Sequence, residues 1–156
     1  MRIIAPHASE TRVLEHPFFE GMDPHLLRTL VPKAVEREYD VGDYVAQEGS
    51  PCDEFLLVFE GKLALEIGAA DRPHLTVQTV GSGEVVGWSW FVAPNLWRFD
   101  VRAVKPTRVV ALNAPTVRHA LASHASLGYD FLARLLPVLA ERLENTRVQL
   151  LDTYGR

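Results

Sequence analysis

The chain has 156 residues, a hydrophobic fraction of 47% and a formal charge of −4, which fits one domain (1–156) with a sizeable core and excludes wholesale disorder. That charge, with no visible Lys/Arg cluster, excludes a dedicated nucleic-acid surface. Cys52 is the one cysteine, which excludes an intrachain disulfide framework, a four-thiolate zinc site and a cysteine-held iron–sulfur cluster.

The first residues, Met1 to His7, form no hydrophobic signal region, and no apolar run is long enough to span a bilayer. A soluble cytoplasmic protein without a membrane partner is expected. Residues 8–34 read as N-terminal helices: Val13, Leu14, Phe18 and Phe19, a break near Gly21, then Leu26, Leu27, Leu30 and Val31. Asp23-Pro24 supplies an N-cap and a first-turn proline.

Over 35–113 the pattern changes to short β-branched or alternating runs separated by turn residues. Strands are expected at Val35–Tyr39, Tyr44–Gln47, Glu54–Glu60, Lys62–Ile67, His74–Val80, Phe99–Val104 and Thr107–Leu112. Short strands with turns every eight to twelve residues suggest a sandwich, barrel or roll rather than βαβ units.

Within this zone Trp88, Trp90 and Trp97, all the tryptophans of the chain, follow Gly83-Glu84-Val85-Val86-Gly87. Glycine permits a tight backbone approach, and indole combines apolar bulk with one N–H donor. The candidate ligand-binding set is Val86, Gly87, Trp88, Ser89, Trp90, Trp97, Arg98 and Phe99. Two readings stand side by side: the indoles fill a core, or they line a pocket for a planar or apolar ligand, with Ser89 and Arg98 supplying polarity. Arg98, Asp100 and Arg102 alternate on one strand face, which reads first as a solvated charge ladder and second as an anion site.

Residues 114–151 return to helical periodicity. A short helix opens at Asn113-Ala114-Pro115 and runs to about Ser123, and Ser126 is positioned to cap a longer one. Leu132, Leu136, Leu139, Leu143, Thr146 and Leu150 form a heptad-like seam interrupted by Pro137. A kink is expected there, with a clean helix over about 137–151. Packed on its own roll the seam is core. Packed on a second copy, Leu132, Leu136, Leu139, Leu143 and Leu150 form a dimer helix.

No catalytic or metal site is expected. Of the histidines (His7, His16, His25, His74, His119 and His124) only His74 lies in the β-rich zone, so the His-x-His cluster of cupin metalloenzymes is absent. All six read as surface histidines. Cys52 has no adjacent histidine or basic helix start to activate it.

Val41-Gly42-Asp43-Tyr44-Val45, Gln47-Glu48-Gly49-Ser50-Pro51-Cys52-Asp53, Val58-Phe59-Glu60-Gly61-Lys62-Leu63 and Gly83-Glu84-Val85-Val86-Gly87 form an ordered set of glycine motifs. With the flanking helices, this set resembles the cyclic-nucleotide-binding domain of catabolite activator-type (Crp/Fnr) regulators. The resemblance covers about 140 residues. It implies a mainly β fold with flanking helices: a double-stranded, cupin-like jelly roll with N-terminal helices and a long C-terminal helix. It also implies a non-catalytic regulatory role, a small-molecule effector such as cyclic AMP, and a homodimer through the last helix.

Relatives that bind cyclic nucleotides carry Phe-Gly-Glu-Leu-Ala followed by Arg-Ser or Arg-Ala. The resemblance puts Trp88 at the glutamate, Trp97 at the arginine and Arg98 at its neighbour. Indole cannot accept a ribose hydroxyl proton. Loss of one charged hydrogen bond, roughly 1.5–3 kcal/mol, weakens binding ~10- to 150-fold. A one-residue slip would bring Arg98 to the vacant place but reverse the neighbouring faces. Related transcription factors append a helix-turn-helix domain. This chain stops at Arg156, so output is expected through a downstream protein partner rather than DNA. The competing expectation is a ligand-free dimeric scaffold with a tryptophan-filled pocket.

Overall fold

The computed structural model describes residues 1–155. The chain opens with strand β1 (Arg2–Ala5), helix α1 (Glu10–Leu14), a 3₁₀ turn (Pro17–Phe19), helix α2 (Pro24–Leu27) and a second 3₁₀ turn (Arg28–Leu30). Strands β2 (Val35–Tyr39), β3 (Tyr44–Ala46), β4 (Glu54–Glu60), β5 (Lys62–Ala69), β6 (Arg72–Gly81), β7 (Val85–Val86), β8 (Asp100–Ala103) and β9 (Thr107–Asn113) follow. Helices α3 (Ala114–Ser123) and α4 (Ala125–Tyr154) complete the chain.

The strands form two antiparallel sheets, ordered β1-β2-β9-β4-β7 and β3-β8-β5-β6. Alternation sets the register: Leu56 faces Ala111 and Val58 faces Val109 across β4–β9, while Leu63 faces Ala103 and Leu65 faces Val101 across β5–β8. Both sheets feed one hydrophobic core with Phe19, Leu27, Leu121 and Phe131 from the helical segments. The expected roll, with helices before and after it, is what the chain forms.

Turn chemistry closes the roll at named points. Gly61, between β4 and β5, has φ +96°, and a Cβ there would sit 2.3 Å from the Pro106 carbonyl oxygen. Only glycine fits that approach. Asp23 accepts from the His25 N–H at 2.9 Å, and Asn113 accepts from the Thr116 N–H at 3.0 Å. Each satisfies a first-turn donor of its helix.

Four expectations need correction. β1 and β7 are strands that the sequence pattern did not indicate. Ser126 does not cap α4; His124 occupies the N-cap, without a side-chain bond. Pro137 is no boundary either, because α4 is one helix of 30 residues running through it. Ala133, whose carbonyl loses its partner at Pro137, is exposed, as is Pro137 itself, so water can satisfy the freed oxygen. Finally, His16 is not a surface histidine: it is 1% exposed.

An aromatic cluster fixes α4 to the roll. Phe131 meets Phe18 and Phe55 at centroid distances of 5.3 Å each and Trp90 at 5.7 Å. These contacts join the first 3₁₀ turn, β4, the loop after β7 and α4 in edge-on and tilted geometries favourable to π systems.

Candidate functional site

The loop after β7 is held by its own backbone. Gly87 has φ +104°, with Trp97 and the Glu54 carbonyl close to where a Cβ would lie, so glycine lets the chain turn beneath an indole. Trp90 is fully buried, and its Nε1–H donates to the Gly87 carbonyl at 2.8 Å. Asn95 Nδ2 donates to the Ser89 carbonyl at 2.8 Å. The Trp97 N–H donates to Ser50 and its carbonyl accepts from the Gly49 N–H, both at 2.8 Å. These bonds fix the shape of the loop from within.

The predicted residues separate. Val86 pairs with Leu56 inside the first sheet, and Ser89 is buried. Trp90 belongs to the aromatic core. Trp97 is 6% exposed, lies edge-on to Phe99, and lines a cavity of about 220 Å³ with Ser50, Pro51, Asp53 and Glu54. Arg98 is exposed. Trp88 and Phe99 instead share a different cavity, of about 460 Å³. The three indoles therefore divide between core, one small pocket and one larger one.

That larger cavity lies between the roll and α4. Leu65, Val77 and Gln78 of β5 and β6 form one wall, Trp88, Val92 and Phe99 another, and Leu139, Arg142, Leu143 and Thr146 of α4 the third. Its volume falls in the ~300–1,000 Å³ span of small-molecule sites. An adjoining apolar hollow of about 510 Å³ is shared by Trp88, Phe91, Tyr129, Leu132 and Leu136.

Arg142 brings charge to this apolar setting. Its Nη2 donates to the Val85 carbonyl, while its Nε is buried with no partner. Burial pulls the guanidinium pKa below its ordinary value, and the nearby Glu84 and Glu141 oppose that only in part. Glu84 also accepts the Gly81 N–H at 2.5 Å.

The Arg98, Asp100, Arg102 ladder is largely spent on structure. Arg102 pairs with Glu66 at 2.6 Å, and Asp100 accepts the Glu48 N–H at 2.8 Å and lies 3.4 Å from His74 Nδ1. Cys52 is buried, with its thiol pushed up to about 11 mainly by desolvation, so it is a poor nucleophile. Among the described residues no group of three or more His, Cys, Asp or Glu could hold a metal, and no helix is long and apolar enough to cross a membrane.

Sequence reading missed Leu65, Val77, Gln78 and Arg142 as cavity walls. For Arg142 a signal existed: Leu139, Arg142, Thr146 and Gln149 repeat at spacings of three and four along one helix flank. Gln149 Nε2 reaches the Val77 carbonyl at 3.1 Å, so this flank faces the roll. Leu132, Leu136, Leu143 and Leu150 are exposed.

Comparison with known proteins agrees with the fold. The profile of the cyclic nucleotide-binding domain family matches residues 36–124. A Geobacter metallireducens protein assigned to cyclic nucleotide binding is 25% identical, with a TM-score of 0.75 over 87% of this chain and 98% of that one. A cyclic nucleotide-binding domain from Methylobacillus flagellatus is 20% identical, with a TM-score of 0.81 over 97% of this chain and 89% of that one. The c-di-GMP-responsive global regulator of Xanthomonas campestris is 18% identical, with a TM-score of 0.72 over 82% of this chain and 63% of that one. No curated protein matches the sequence.

Proposed function

The chain belongs to the cyclic nucleotide-binding domain family, and from that premise we propose that it is a non-catalytic sensor module, binding a small-molecule effector between the roll and α4 and signalling through that helix. One observation carries this reading: the cavity of about 460 Å³ takes walls from both bodies, Leu65 and Val77 on the roll and Leu139 and Leu143 on the helix. A molecule bound there touches both. If its contacts differ between two helix positions, binding shifts their populations.

The effector need not be a cyclic mononucleotide. Trp88 and Trp97 stand where the family resemblance expects the ribose-binding carboxylate and the phosphate-binding guanidinium, and they line separate cavities. A neighbour of the same fold, the Xanthomonas regulator, responds to c-di-GMP. The reading carries with it a cytoplasmic setting, in keeping with a free, buried Cys52, a homodimer through the exposed α4 leucines, and output to a downstream protein.

The second reading, a ligand-free dimeric scaffold, draws support from Trp90 and Trp97, whose rings are buried against protein side chains, Trp90 on Phe55 and Phe131 and Trp97 on Phe99. Tryptophan fluorescence and thermal melting, titrated with cyclic AMP, cyclic GMP and a metabolite panel, separate the two. The sensor reading expects a compound that raises the melting midpoint and quenches or shifts emission, with the emission response lost in Trp88→Phe. Silence across the panel supports the scaffold instead.

A further inference from the structure

We infer that the effector is a predominantly apolar monoanion whose acidic group pairs with the Arg142 guanidinium. This deepens the sensor reading and rests on it. The anchor is on α4 rather than in the loop after β7.

The cavity holds one side-chain charge. Arg142 is cationic, none of the other lining residues is acidic, and most are apolar: Leu65, Val77, Trp88, Phe99, Leu139 and Leu143. Thr146 already gives its hydroxyl proton to the Arg142 carbonyl at 2.9 Å, leaving Gln78 as the lining amide. A guanidinium carries five N–H donors. One nitrogen of Arg142 is held by Val85, and Nε is buried and unpartnered. An incoming carboxylate offers an acceptor to the part of the guanidinium that lines the cavity, completes the countercharge that Glu84 and Glu141 supply only in part, and meets no acidic side chain in the lining.

Charge balance sets the valence. One guanidinium, its charge already partly offset by Glu84 and Glu141, balances at most one further negative charge; a phosphate monoester dianion would leave an excess charge among leucines and indoles. The apolar walls then select the rest of the molecule, with Trp88 and Phe99 offering aromatic faces.

The test uses 2-naphthoate, its neutral amide 2-naphthamide and the dianionic 2-naphthyl phosphate, by calorimetry at pH 8 on the unmodified protein, on Arg142→Gln and Arg142→Lys, and on Arg147→Gln as an exposed control in the same helix. The acid is expected to bind roughly 10- to 150-fold tighter than the amide, and tighter than the phosphate. Arg142→Gln should abolish the acid–amide difference, Arg142→Lys should retain part of it, and Arg147→Gln should leave it intact. Equal binding of acid and amide, or a difference that survives Arg142→Gln, overturns the inference. So does tighter binding of the phosphate. The acid–amide comparison needs no variant, so misfolding of Arg142→Gln cannot mask the result. A neutral compound that binds and quenches Trp88 while naphthoate does not would sink the anion inference, and a cyclic nucleotide that does so, being a polar monoanion, would sink its apolar half; either result leaves the sensor reading standing. No response to any compound would sink both.

Discussion

His16 lies buried between two backbone groups, its Nε2 2.9 Å from the Val58 carbonyl and its Nδ1 accepting the Phe18 N–H at 3.2 Å. Both bonds require the neutral ring with its proton on Nε2. Burial pushes the pKa below the ordinary histidine value, against the opposing pull of the Val58 carbonyl. The unfolded chain takes up this proton near pH ~6.5 and the folded chain resists it. Its contribution to stability is therefore complete above that pH and is lost as pH falls toward the lower folded value. Urea midpoints from pH 7.5 down to 5 should decline, and His16→Gln should flatten the decline; parallel slopes would refute the assignment. Gly61 is a second residue-scale test. With φ at +96° and the Pro106 oxygen 2.3 Å from a would-be Cβ, Gly61→Ala should cost on the order of 3 kcal/mol. The cost should read out as a lower urea midpoint at unchanged slope. The sequence marked Gly61 as a turn. The approach of Pro106, distant in sequence but next to Gly61 in the sheet, could not be read, because it depends on β9 pairing beside β4.

At the scale of the element, α4 has two characters. Its first half is riveted by Phe131 to Phe18, Phe55 and Trp90, so Phe131→Ala should cost about 3–5 kcal/mol. Leu136 is 67% exposed, and its replacement by alanine should change the stability of a lone chain by no more than about 0.5 kcal/mol. Paired denaturation curves check both. The legibility of the elements follows the same physics. β2 and β4 were readable to the residue because β-branched and apolar positions recur between clear turns. β1 was not, since an edge strand exposed over Arg2, Ile3 and Ile4 buries no face to pattern it. β7 has two residues, too few for any period. The helical seam was legible as a helix, but Arg142 looks like solvent face until β5 and β6 are laid against it.

For the whole molecule, the exposed side of α4 is the surface on which the proposed homodimer rests. Leu132, Leu136, Leu143 and Leu150 are exposed along one helix, and Phe91 and Tyr129 are also exposed beside the hollow they share with Leu132 and Leu136. Exposed apolar residues grouped in this way are what the proposed homodimer would cover. Sedimentation should report a dimer that Leu136→Glu with Leu150→Glu converts to monomer while the fold survives; a monomeric wild type would refute this. Arg142 and Gln149 stand two turns apart and each grasps a carbonyl of the roll, Val85 and Val77 respectively. Beyond Leu139 every residue of α4 except Arg142 is exposed, so this half behaves as an arm held by two clasps. The Gln149 clasp is worth about 1 kcal/mol net and the charged Arg142 clasp roughly 1.5–3 kcal/mol, because an unclasped arm finds water for the same groups. Swinging such an arm outward lies within reach of a ligand's ordinary preference for one posture over another.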